Sequence, residues 1–196
     1  MSPRTREQFE EIRESRKDLI RGKALKLFAL EGYHTTSIQM IAKEAGISKG
    51  LIYNYYESKE DLLKDVIISG MKRIFETVDP NEDGVLTDEE MKNMLEINKR
   101  SLVADRRFWT LYFSILPQPN VIAIVKDEVM EMYEDLMSMF TEYFKKEGYD
   151  DPETEAMMLA SILDGVSFHY LFNPNRYPLD KVIDRLITIY SKNNSK

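Results

Sequence analysis

The chain has no cysteine among its 196 residues. Disulfides, zinc–cysteine sites, iron–sulfur clusters and thiol nucleophiles are therefore excluded, and a reducing cytosol fits the composition. Histidine is nearly absent too. His34 and His169 stand alone, without the helical spacing that would make them joint metal ligands. No phosphate-cradling glycine loop and no nucleophile motif occurs, so an enzyme is not expected. Long apolar runs are missing as well. The longest aliphatic stretch is Val121–Val125, whereas a membrane helix needs about 20 apolar residues. The start of the chain mixes both signs of charge with no apolar segment behind them, so no export signal is expected and a cytoplasmic location follows. Glycine (8) and proline (7) are sparse and fall at intervals, which leaves few breaks in helical periodicity.

What is present is a core-forming composition, 43% hydrophobic and 31% charged, with a net charge of −7. The charge is unevenly placed. Residues 1–65 hold 12 Lys and Arg against 11 Asp and Glu, whereas the remainder holds 15 against 23. A near-neutral head on an acidic body permits nucleic-acid binding but does not establish it.

The breakers and apolar repeats predict an all-α protein of nine helices. The first runs from Arg4 or Glu7 to Glu31, with Phe9, Ile12, Leu19, Ile20, Ala24, Leu27 and Phe28 on one face. Short helices follow over Ser37–Ala45 and, capped by Ser48, to Tyr55 or Tyr56. Ser58 caps a fourth, reaching Val78. The fifth starts at Thr87, the sixth covers Asp105–Leu116, the seventh Asn120–Lys146, the eighth Pro152–Phe172 and the ninth Leu179–Lys192. The expected division is a head over 1–60 and a helical body over 61–196.

Within Thr36–Tyr56 two short helices meet at a tight turn on Gly46, where positive φ is free of a Cβ clash. Ile38, Ile41, Ala42, Ala45, Ile47 and Ile52 supply a small shared core, which leaves the outer face of Lys49–Tyr55 for a major groove. Taken with Ala24, Phe28, Gly32, Thr36, Gly50, Tyr53, Tyr56, Ser58-Lys59-Glu60 and Leu62, the stretch Ile20–Leu63 resembles the DNA-binding head of the TetR/AcrR family of transcriptional regulators. That resemblance implies a nine-helix fold, a homodimer on palindromic double-stranded DNA, and a body that both dimerises and holds a small-molecule effector.

The resemblance gives roles to named residues. Thr36 and Ser37 would hold a phosphate at the start of the second helix, and Gln39 would read bases, although Thr36…Gln39 is also a capping box. The Ser48 hydroxyl would meet the DNA backbone, and Lys49, Gly50, Leu51, Tyr53, Asn54 and Tyr55 would face the groove, with Tyr53 and Tyr55 either reaching phosphates through their hydroxyls or packing. There Lys49 suits guanine or phosphate, Asn54 suits adenine, and Gly50 permits close backbone approach. Tyr55 stands where relatives often carry His. Lys59 would hold a phosphate; the alternative is an exposed lysine beside Glu60.

In the body, Trp109, Tyr112, Phe113, Met130, Tyr133, Met137, Phe168 and His169 recur at helical spacing. They form either core or, by the resemblance, a pocket for an apolar or aromatic effector that releases a repressor from DNA. The dimer interface would use Ala160, Ser161, Asp164, Gly165, Ile183 and Ile187.

One loop stands apart. From Asp79 to Glu90 the residues follow the EF-hand calcium pattern, with Asp79, Asn81 and Asp83 at positions 1, 3 and 5, and Gly84 at 6. Val85 would offer its carbonyl, Thr87 a further ligand, and Glu90 a bidentate carboxylate. The other reading is a polar turn in which Thr87…Glu90 forms a capping box. No cofactor is required on either reading; Ca2+ is the one ion the spacing suggests, and a calcium-responsive regulator is the alternative function.

Overall fold

A computed structural model describes residues 6–81 and 83–191. Among them the chain forms nine α-helices: α1 (Arg6–Glu31), α2 (Ile38–Ala45), α3 (Lys49–Tyr53), α4 (Lys59–Val78), α5 (Asp88–Ala104), α6 (Arg106–Ile115), α7 (Pro119–Lys146), α8 (Pro152–Phe172) and α9 (Leu179–Tyr190). The expected helix order is therefore observed. Arg4 and Lys192, where the first and last helices were expected to begin and end, lie outside the described residues. No single described helix is long and apolar enough to cross a membrane.

The chain divides into two compact units. One comprises residues 1–69 with 111–126, the other 70–110 with 127–196. In the first, Ile20, Ala24 and Phe28 of α1 are buried with Ile38, Ile41 and Ala42 of α2, Ile52 of α3, and Leu62, Leu63, Val66 and Ile67 of α4. Tyr112, Ile115, Val121 and Val125 join this core, and the Tyr112 hydroxyl donates to the Ile67 carbonyl at 3.1 Å. Ala45 and Ile47, expected in the same core, are only half-buried. On α1, Phe9 and Ile12 are exposed although they continue its apolar repeat. Amphipathic spacing there runs past the point where the helix is covered.

In the second unit α5 packs on α9, and α8 on α9. Helix α9 turns Leu179, Ile183, Leu186 and Tyr190 inward, a three- and four-residue rhythm that marks one buried face. The Tyr143 hydroxyl lies 2.6 Å from the Tyr190 carbonyl and 2.8 Å from the Asp88 carboxylate, joining α7, α9 and the start of α5.

A charged cluster fastens the first unit. Asp65 on α4 accepts from the Tyr56 hydroxyl (2.7 Å) and the Arg21 guanidinium (3.0 Å), with the Lys17 ammonium 3.5 Å away. Burial alone would raise the Asp65 carboxyl. The hydrogen bonds from Tyr56 and Arg21, with the charges of Arg21 and Lys17, outweigh it and hold the group below the ordinary carboxylate range. Burial, then the bond to Asp65, pushes the Tyr56 phenol well above its usual range. A depressed carboxylate contributes stability above its unfolded pKa of about 3.9 and loses it as pH falls through the lower folded value. Replacement Asp65→Asn is therefore expected to cost about 1–3 kcal/mol near neutral pH. The gap between the two proteins should close below about pH 4. Urea unfolding across a pH series checks this; a gap independent of pH would refute it.

Candidate DNA-binding interface

The helix-turn-helix is built from two capped helices too short to stand alone. Ser37 caps α2, its hydroxyl accepting from the Met40 amide at 3.2 Å. Helix α2 ends at Gly46, whose φ of 66° is the left-handed turn that glycine takes most easily. The Ile47 amide then returns to the Ala42 carbonyl at 3.0 Å, closing the turn. Ser48 caps α3 by accepting from the Leu51 amide at 3.1 Å. With Ile52 turned fully inward, Lys49, Gly50, Tyr53 and Asn54 all stand on the exposed side. Tyr53 is 48% exposed, and the Lys49 ammonium lies 5.7 Å from its ring centre. Leu51 and Tyr55 are half-buried at the edge of this face, and Gln39, Ser37 and Ser48 are exposed beside it.

Two of the expected DNA contacts are otherwise engaged. Thr36 is only 1% exposed, and its hydroxyl donates to the Gly32 carbonyl at 2.8 Å. It staples the loop after α1 and has no hydroxyl to offer a phosphate. The Thr36…Gln39 capping box does not form, because the cap is Ser37. Lys59 donates to the carbonyls of Tyr33 (2.7 Å) and Thr36 (2.8 Å), and its ammonium lies 4.3 Å from the Tyr33 ring centre. Desolvation lowers its pKa. Its charge satisfies backbone oxygens that a short loop leaves without helical partners. Arg13, which the sequence reading did not select, places its guanidinium 5.2 Å from the Tyr55 ring centre. Its signal is register: residues 13, 17 and 21 repeat at four-residue steps and carry Arg, Lys and Arg.

The candidate effector residues divide. Tyr112 and Trp109 are buried, each in its own unit, and the Trp109 indole N–H donates to the Ser101 hydroxyl at 2.9 Å. Phe113 and Met137 are half-buried. Met130, Tyr133, Phe168 and His169 instead stand exposed, so an interior lining does not hold for them. On α8 the reason is phase: Val166, Ser167 and Tyr170 face inward, which leaves Phe168 (61% exposed) and Phe172 (80%) outward. Their rings stack at 6.3 Å.

Of the candidate dimer residues, Ser161 and Asp164 are exposed, while Ala160, Gly165 and Ile187 are half-buried. Ile183 is fully buried within its own unit and has no surface to give a partner. Met157, Phe172 and Ile189 are exposed as well.

In the acidic loop, the Asp79 carboxylate accepts from the amides of Asp83 (3.2 Å) and Gly84 (2.9 Å), and Asp83 accepts from Val85 (2.8 Å). Gly84 has a φ of 72°. Glu90 accepts from the Thr87 amide (2.9 Å) and hydroxyl (2.7 Å), so the capping box forms. Among the described residues no three His, Cys, Asp or Glu side chains group so as to hold a metal ion.

Known proteins carry the same pattern. Residues 20–66 match the family model described as bacterial regulatory proteins, tetR family. A 44-residue stretch is 59% identical to the HTH-type transcriptional regulator YuxN of Bacillus subtilis, covering 22% of this chain and only 15% of that protein. Along 88% of this chain and 82% of the relative, identity is 27% to the fatty acid metabolism regulator protein of Bacillus subtilis. The fold matches the crystal structure of the transcriptional regulator FadR from Bacillus subtilis in complex with stearoyl-CoA. There the TM-score is 0.66 at 21% identity, over 89% of this chain and 97% of that one. Residues 20–66 thus carry a helix-turn-helix like that of the tetR family of bacterial regulatory proteins, and the chain shares the helical fold of that FadR structure.

Proposed function

We propose that this regulator is a cytoplasmic repressor that binds a palindromic duplex as a homodimer and leaves it when a long-chain acyl thioester enters the body. Residues 1–60 act as the DNA-binding head, and 61–196 carry ligand binding and dimerisation. The observation that carries the DNA reading is the outward face of α3, where Lys49, Gly50, Tyr53 and Asn54 stand exposed on a capped helix. Ser37 and Ser48 flank it as phosphate contacts and Gln39 as a base reader. The acyl thioester is proposed from the B. subtilis fatty acid metabolism regulator and from the stearoyl-CoA held by the B. subtilis FadR structure. An effector acts by preferring one of two conformations, so its affinity must fall on DNA by the same factor that DNA affinity falls with effector.

The dimer reading rests on α8. Met157, Ser161, Asp164, Phe168 and Phe172 are exposed at four-, three-, four- and four-residue steps, one continuous stripe with two large aromatic rings at one end. A soluble chain rarely leaves such a stripe uncovered. A twofold axis would pair each stripe with its copy.

A second reading, calcium binding at 79–90, is supported by the joint spacing of the loop and by the left-handed Gly84 at its sixth position. It requires the Glu90 carboxylate to exchange Thr87 for the ion.

Three measurements decide these points. A gel shift on the DNA flanking its own gene should show binding that stearoyl-CoA abolishes. Tyr53→Ala or Lys49→Ala should each weaken it about tenfold with the fold retained; unchanged binding in both would displace the reading face from α3. Sedimentation should give a dimer that Phe168→Glu converts to monomer, and a dimer indifferent to that change would place the interface elsewhere. Calorimetry of metal-free protein with millimolar calcium should release heat that Asp79→Ala removes; no heat would dispose of the second reading.

A further inference from the structure

Three cations share one face of α1 at positions 13, 17 and 21. The inner two are neutralised: Arg21 and Lys17 converge on Asp65 at 3.0 and 3.5 Å. Glu14, next to Arg13 in the chain, lies 3.6 Å from Arg21. Arg13 itself is exposed, and its guanidinium sits over the ring of Tyr55, two residues beyond the end of α3. A stack on an aromatic ring uses the face of a guanidinium and leaves its five N–H donors at the edge. It fixes orientation without cancelling charge.

A helix with its side chains is about 10–12 Å across, close to the width of the major groove. A cation held beside the inserted element therefore stands against the groove wall, and the wall is phosphate. We propose that Arg13 is a DNA-phosphate clamp, that its guanidinium engages one backbone phosphate by paired N–H donors, and that Tyr55 is its positioning residue. Tyr55 on this account reads no base. It converts a flexible side chain on α1 into a preset contact, so that less rotamer freedom is lost on binding. The inference rests on the DNA-binding reading and adds a contact from outside the helix-turn-helix.

The test is fluorescence anisotropy with two labelled duplexes of equal length, one from the region flanking the gene and one scrambled, across a salt series. Each phosphate neutralised contributes about 0.9 to the slope of log affinity against log salt. Arg13→Gln should lower that slope by about 0.9 and weaken both duplexes by a similar factor. Arg13→Lys should restore the slope, because it restores the charge. Tyr55→Phe, which keeps the ring, should match the wild type, and Tyr55→Leu should weaken both duplexes alike. A slope untouched by Arg13→Gln, in protein whose circular-dichroism melt is unchanged, overturns the clamp. So does a loss confined to the specific duplex, which would make Arg13 a base reader. A wild type that binds neither duplex overturns the DNA reading beneath it, an outcome distinct from both.

Discussion

Asp65 is the fixed point of the head. A five-residue helix such as α3 cannot persist on its own hydrogen bonds, because helix nucleation costs more than so few bonds return. Its position must be imposed from outside. The Tyr56 hydroxyl ties the chain just past α3 to Asp65 on α4, and Arg21 and Lys17 tie the same carboxylate to α1. One anion thus sets the segment that follows α3 against two longer helices, while Ile52 holds it from beneath. The outer face of α3 is left without structural duties, which is what the proposed recognition role requires of its side chains.

The same economy explains why two expected contacts changed role. Between Glu31 and Ile38 the chain turns from α1 into α2 and leaves several backbone carbonyls without helical partners. Thr36 supplies a hydroxyl to one and Lys59 an ammonium to two more. A motif containing Thr36 and Ser58-Lys59-Glu60 reads from sequence as a set of phosphate ligands. In three dimensions part of that motif is scaffold, and the distinction lies in burial, which residue type alone does not carry.

Much of the head was legible because its signals are local. Gly46 marks the left-handed turn, Ser48 and Ser37 mark caps, and Ile38, Ile41, Ala42 and Ile52 mark the buried side. The body was legible in helix order and not in helix phase. Helix α8 is apolar nearly all round, so periodicity could not say that Tyr170 points in while Phe168 points out. Ile183 was assigned outward on similar grounds, and its place facing inward follows from the packing of α9 on α5. Arg13 escaped notice because its meaning depends on Tyr55, 42 positions along the chain, and no local pattern links them.

The brevity of α3 also bounds how much information one head can extract. Five residues rise about 7.5 Å along a helix axis, and a base pair occupies about 3.4 Å of duplex. If α3 reads the groove as proposed, a single copy of the chain spans little more than two base pairs with it. A genome offers on the order of a million or more competing sites, and so short a word recurs constantly among them. Discrimination at that scale requires the word to be spoken twice at a fixed interval. In the proposed dimer the shortness of α3 therefore makes the spacing between two heads, rather than any one side chain, the quantity that an effector would most economically disturb.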